Sequence, residues 1–377
     1  MQKWDPQRGK RFRGMVLGVG LAIVSPAFAT PVITQVSGTL DHKASITIQG
    51  NGFGSKSTAA PLAWDDASGT SIGQVWDGAW PDRFGPSYDI MYRDPMRGVS
   101  PPHAHDNRLI AGAHAYSNGA DAGFDVVLFK NITIGSYPAS IYASWYQRAD
   151  SNWVFGGDNN YKIFDYSVGA EPYATANNWF TCYGPPHPGT NTDGAQWIVT
   201  DDGQSLSLPD ATGHNAWWAS SVNPMSAWSK VEIMVRVTNQ SDGYIQAFEN
   251  GKQIMNYRGP TDRYSGNSRT IGVGGYARIR NPSNWRYFDD VYVDTTFAHV
   301  VLADSPVLSS ATTIENQIPV TWSDSSITAT VNLGHFSQGQ TAYLFVVDDS
   351  GNASAGYPIA ASGSAIMPNA PTGISVH

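Results

Sequence analysis

Alternation of apolar and polar residues is the dominant pattern along this chain. In Lys230–Thr238 (KVEIMVRVT), Val231, Ile233, Val235 and Val237 fall on one side, and Lys230, Glu232, Arg236 and Thr238 on the other. A period of two predicts a half-buried strand. Ser140–Arg148 repeats the pattern, with Ile141, Ala143 and Trp145 on one face and Tyr142, Ser144, Tyr146 and Arg148 on the other. Tyr244–Glu249 and Lys252–Tyr257 flank Asn250-Gly251, a strong signal for a tight hairpin. Tyr161–Ser167, Gln196–Thr200, Thr270–Ala277 and Tyr287–Asp294 read as further strands. Beyond the N-terminal segment no amphipathic helix is legible. Many short strands separated by Gly, Pro, Asn and Asp predict an all-β sandwich.

Composition agrees with that pattern. The 377 residues are 41% apolar and only 14% charged, with 38 Gly and 23 Pro, and 13 Trp and 18 Tyr give an aromatic-rich chain. The first 29 residues have the design of an export signal. Lys3, Arg8, Lys10, Arg11 and Arg13 form a basic start, Gly14–Val24 a short apolar run, and Ala27-Phe28-Ala29 a small-x-small cleavage site. That run is shorter than the ~20 residues a membrane span needs. Removing this segment takes away five basic residues and one acidic one. It leaves 18 basic and 30 acidic residues, net −12 against −8 for the whole chain. An acidic exported protein is a poor partner for nucleic acid or an anionic membrane. Cys182 is the single cysteine, so no intrachain disulfide forms; export without disulfides points to a bacterial secreted or cell-surface protein.

The stretch WSKVEIMVRVTNQSDGYIQAFENGK, followed by RTIGVGGYARIR and NWRYFDDVYVD, resembles the concanavalin A-like jelly roll of lectins, laminin-G-like modules and several polysaccharide lyases. The resemblance implies a jelly-roll domain over residues 59–297. A second resemblance links the two ends of the chain. PVITQVSGTL and ASITIQGNGFGSK at the front, and WSDSSITATV at the back, look like early and late strands of an IPT/TIG immunoglobulin-like domain. Each piece alone is too short to bury a core. Residues 30–58 and 298–358 are therefore expected to form one discontinuous Ig-like domain, with the jelly roll inserted into it or flanked by its halves. Residues 359–377 are expected to be a flexible tail.

Candidate chemistry follows from the implied fold. Asp65 and Asp66 would open the jelly roll and Asp289 and Asp290 would close it. Neighbouring first and last strands would bring four carboxylates together, which suits a structural Ca²⁺ ion; turn capping is the plain alternative. PPHAHDNRLIAGAH places His103, His105, Asp106, Arg108 and His114 close together, either as a solvated loop or as a source of acid–base chemistry. Trp153, Trp179, Trp217, Trp218 and Trp285 offer flat faces for sugar rings, with packing in a wide core as the alternative. Adjacent Trp217 and Trp218 are not expected to enter the same core face of a strand.

Three functions remain open at this point. The first is carbohydrate binding or adhesion: binding of a polysaccharide or glycan through the jelly roll. The second is a polysaccharide lyase cleaving by β-elimination, with His105, Tyr142, Tyr146 and Arg148 as catalytic candidates and Lys162 and Tyr166 as residues of suitable type. That reading requires the two strands carrying them to present one common face. The sequence motifs of known jelly-roll lyases are absent. The third is a structural matrix protein. The paired-carboxylate motif of concanavalin-like glycosidases is also absent, because the four Glu residues (Glu171, Glu232, Glu249 and Glu315) lie far apart.

Overall fold

The computed structural model describes residues 30–68, 82–83, 89–93, 99–102, 109–113, 127–132, 139–151, 160–168, 176–183, 196–200, 211–212, 215–220, 226–262, 269–274, 285–337 and 339–360. Among them the chain is strand and turn, with one short 3-10 turn at Leu308–Ser310. In chain order the strands are β1 (Val32–Gly38), β2 (Ser45–Asn51), β3 (Ala63–Asp65), β4 (Asp82–Arg83), β5 (Asp89–Arg93), β6 (Leu109–Ala113), β7 (Val127–Ile132) and β8 (Ser140–Ala149). Then come β9 (Asn160–Val168), β10 (Ala176–Tyr183), β11 (Gln196–Thr200), β12 (Ala211–Thr212), β13 (Asn215–Ser220), β14 (Ser229–Arg236), β15 (Tyr244–Glu249) and β16 (Lys252–Arg258). The rest are β17 (Arg269–Gly274), β18 (Arg286–Asp294), β19 (His299–Ala303), β20 (Ile314–Trp322), β21 (Ser326–Thr330), β22 (Thr341–Val347) and β23 (Tyr357–Ala360).

The two ends of the chain meet in one sheet, in the order β1-β2-β21-β20-β19-β22-β23. β2 lies antiparallel to β21, with Ile48 opposite Ile327. β20 turns this sheet over on itself. Its first half pairs with β19 and its second with β21, and a register shift between Pro319 and Thr321 marks the bend. The folded sheet encloses a core in which Ile46, Ile48 and Phe53 from the front pack with Val300, Ile327, Leu344 and Val346 from the back. This unit is called the terminal module below.

Between the two ends the chain builds a jelly-roll sandwich of two sheets. The front sheet runs β12-β13-β11-β10-β9-β17-β7-β4, and the back sheet β16-β15-β14-β8-β18-β6-β5 with β3 added beside β18. The odd residues of β8 point into the sandwich: Ile141, Ala143 and Trp145 are fully buried, and Trp145 stacks on Phe164 of β9 with ring centroids 5.9 Å apart. The β15–β16 hairpin closes through Asn250 (φ 50°) and Gly251 (φ 74°). Left-handed conformation at both turn residues matches the right-handed twist of the flanking strands, the reason Asn-Gly is favoured there.

The back sheet's outer face does not meet solvent at its centre; it packs against the terminal module. Tyr142 stacks on His299 with centroids 4.2 Å apart, Ser144 Oγ donates to Asn316 Oδ1 at 3.0 Å, and Tyr146 OH donates to Glu315 Oε1 at 2.8 Å. Tyr142, Tyr292 and Phe297 form a small apolar cluster at one end of this join, with Trp64 and Tyr244 against it. No helix among the described residues is long and apolar enough to cross a membrane.

Candidate functional site

The lyase reading of β8 and β9 required a shared face, and the structure separates them. β8 belongs to the back sheet and β9 to the front sheet. Tyr142 and Tyr146 face the terminal module, whereas Tyr166 is buried within the sandwich and donates to Thr261 O at 2.8 Å. Tyr142 OH donates to Glu232 Oε1 at 2.9 Å and accepts from Asn316 Nδ2 at 3.1 Å. Burial raises both Tyr142 and Tyr146 well above the ordinary tyrosine range, and the neighbouring Glu232 and Glu315 carboxylates push further in the same direction. Both phenols act as buried hydrogen-bond donors within the join. Arg148, at the end of the same face, is half-buried with its guanidinium 6.0 Å from the centre of the Trp228 ring. His105, the fourth catalytic candidate, and Trp153 lie outside the described residues.

Sequence reasoning missed the partners that fill this join. Glu315 Oε1 receives Tyr146 OH, the His335 backbone N–H at 3.0 Å and His335 Nδ1 at 2.8 Å. Lys230 Nζ donates to the Ile314 carbonyl and to Asn316 Oδ1 at 3.1 Å. Asn332 Nδ2 donates to Asp290 Oδ2 at 2.7 Å. The clue in the sequence was polar: β14 carries Lys230 and Glu232 on a face otherwise assigned to solvent, and both are buried. A buried charge needs a partner, and the terminal module provides one.

The four aspartates do not gather into one group among the described residues. β3 does pair with β18, Asp65 opposite Val291, so first and last strands lie side by side. The carboxylates turn to other work. Asp65 Oδ1 accepts from Ala67 N at 2.9 Å, and Asp66 Oδ1 from Ser68 N at 3.1 Å while Asp66 Oδ2 pairs with Lys43 Nζ at 3.3 Å. Asp289 Oδ1 accepts from Asp290 N at 2.9 Å. A register shift between Asp289 and Tyr292 puts Asp290 at φ 45° and directs its carboxylate to Asn332. Among the described residues no three His, Cys, Asp or Glu side chains converge to hold a metal ion.

The front sheet is the other broad surface of the jelly roll. One row of its ladder, Ala216-Val199-Phe180-Phe164-Val273, contains the buried Phe164 and Val273 and so faces the back sheet. The neighbouring row of the ladder is Asn215-Thr200-Trp179-Asp165-Gly272-Phe129. Trp179 is thus in register with Asp165 of β9 and Thr200 of β11. Trp217 pairs with Ile198, and a register shift follows at Trp218 and Ala219. Such a shift breaks simple alternation for two adjacent tryptophans. Trp285, by contrast, is 9% exposed at the start of β18, its backbone N–H bonded to Asp150 Oδ2 at 2.8 Å.

The front sheet also differs in charge. Its strands carry Arg83, Lys130, Lys162 and Arg269 against Asp82 and Asp165, a local excess of cations in a chain of net charge −8. Neutral β10–β13 contribute Asn, Thr, Gln and Trp instead.

No family model matches the chain, and the search of curated proteins returned no match. Among solved structures, an endo-β-1,4-glucuronan lyase from the fungus Trichoderma reesei is similar at 14% identity and a TM-score of 0.41, covering 63% of this chain and 97% of its own. An alginate lyase from Aplysia kurodai is similar at 10% identity and a TM-score of 0.39, covering 62% and 99%. The receptor-binding domain of botulinum neurotoxin type G is similar at 10% identity and a TM-score of 0.33, covering 77% and 72%.

Proposed function

We propose that this chain is an exported protein that acts on an acidic polysaccharide across the front sheet of its jelly roll, cleaving it by β-elimination. The observation that carries the reading is the division of labour between the two sheets. The terminal module occupies the centre of the back sheet's outer face, which leaves the front sheet, whose strands carry Lys162, Trp179 and Asp165, as the broad surface for a polymer. A polyuronate needs its carboxylates neutralised before the proton beside them becomes acidic enough to remove. Lys162, on β9 opposite Thr181 of β10, is the residue we assign to that chemistry: its ammonium would neutralise the carboxylate. Trp179 and Asp165 would hold neighbouring sugars. The terminal module, IPT/TIG-like in this reading, would serve as a structural support for the back sheet.

Non-catalytic binding is the second reading, favoured by the row of Trp179, Thr200 and Asn215, which suits sugar contact without any base. One experiment separates them. The protein is incubated with alginate, polyglucuronate and polygalacturonate while ultraviolet absorbance of the unsaturated product and retardation in polymer-containing gels are followed. Growing absorbance, lost in Lys162→Ala at unchanged melting temperature, is the expected result. Retardation without product supports binding alone. Neither product nor retardation with all three polymers overturns the proposal.

A further inference from the structure

The join between the back sheet and the terminal module is tight at one end and open at the other. Around Ser144 and Tyr146 it closes in direct hydrogen bonds. Beyond Tyr142 it widens into a cleft of about 920 Å³. That is within the range of sites that take a small ligand. Its floor is the outer face of β14 and β15, where Glu232 and Met234 lie beside the alternating row Tyr244, Gln246 and Phe248. The facing wall comes from the terminal module: Val307, Leu308 and Phe345, then the turn from Ser350 to Ala355. Val307, 54% exposed, forms an apolar rim.

The lining states the chemistry of an occupant. Among the lining residues Glu232 is the acidic and Arg258 the basic side chain, so the lining carries no excess of either type. His299 is neutral, because burial pulls it down to about 3. Arg258 lies over the Tyr244 ring at 4.7 Å, and Tyr244 also stacks on Phe297 at 5.7 Å, so this aromatic is braced on both sides. Phe248, half-buried, offers an apolar surface, and two residues away Gln246 offers both donors and an acceptor. An uncharged molecule with an apolar face and a rim of hydroxyls matches these groups, and a neutral pyranose is such a molecule.

We infer that this cleft is a second carbohydrate site, separate from the front sheet, which takes one or two uncharged pyranose units at the end of a glycan. The front sheet would then hold the acidic polymer while the cleft holds a neutral chain end. The two sites are tested by different ligands, so failure of one is distinguishable from failure of the other.

Isothermal titration with the neutral tetrasaccharides of β-1,4-glucose, β-1,4-mannose, β-1,4-xylose and α-1,4-glucose tests the inference. At least one should bind, and both Gln246→Ala and Phe248→Ala should weaken it by about tenfold or more. Lys162→Ala, on the other sheet, should leave that binding unchanged. Melting curves show whether each variant is folded; if Phe248→Ala is not, the half-buried Gln246→Ala decides. Absence of binding by all four sugars overturns the inference, as does binding that survives Gln246→Ala but is lost in Lys162→Ala.

Discussion

Tyr146 donates its phenolic hydrogen to Glu315 across 169 positions of sequence, at 2.8 Å. The bond joins the middle of the jelly roll to the terminal module, and both groups are buried. Tyr146→Phe removes one of the donors converging on a buried carboxylate. A hydrogen bond to a charged group contributes about 1.5–3 kcal/mol, so urea denaturation should show a loss of that size. Polyuronate cleavage or retardation should persist in the folded variant. Unchanged stability with abolished activity would instead return Tyr146 to a catalytic role.

Lys56 and Asp294 make a second join, where the chain leaves the terminal module and where it returns. Their charged atoms lie 2.6 Å apart, with side chains 1% and 4% exposed. Burial pulls Lys56 down and pushes Asp294 up, and their mutual attraction opposes both shifts. Removing one member leaves the other charge buried, at a cost of about 3–5 kcal/mol. Lys56→Met should lose stability on that scale in equilibrium unfolding. Combining it with Asp294→Leu should restore most of the loss. A single variant as stable as the parent would show that the pair is not buried in solution.

His299 gives the join a pH dependence. Stacked under Tyr142 and buried, it has its protonation pulled from 6.5 down to about 3. The folded pKa is depressed, so the stabilising contribution is complete above the unfolded value and is lost as pH falls from about 6.5 toward 3. From this group alone the slope approaches about 1.4 kcal/mol per pH unit over that interval. Facing it are Tyr142, Glu232, Lys56 and Lys230, of which the two lysines reinforce the neutral state. His299→Phe keeps an aromatic ring and should flatten this part of the melting temperature–pH curve. An identical curve in the variant would exclude His299 as the source.

Gly251 is constrained twice. Its φ of 74° is the left-handed value required by the hairpin, and a Cβ there would meet the carbonyl oxygen of Ala311 in the terminal module. Gly251→Ala should therefore cost more than the roughly 1–2 kcal/mol of left-handed strain alone. Denaturation midpoints provide the measurement. A loss no larger than strain would mean that the hairpin tip moves freely away from Ala311.

The hairpin and the alternating strands were legible because they are local. Asn250-Gly251 dictates its turn through φ, and Lys230–Thr238 and Ser140–Arg148 announce two faces through side-chain period. What the polar face of β8 would meet was not local. Tyr142, Ser144 and Tyr146 look like the lining of a sugar cleft, and the same residue types also build a polar joint. Their partners, Asn316, Glu315 and His335, lie about 170–190 positions away.

The sequence by itself determined an all-β chain, its principal strands, its tight turn and the inward faces of its jelly roll, since those depend on neighbours two to four residues apart. Tertiary structure alone decided that β8 and β9 lie in opposite sheets, that Asp290 turns to Asn332, and that a cleft opens beside Tyr142. Each of these depends on which distant surface arrives to cover a face, and alternation along a strand defines a face without naming what covers it.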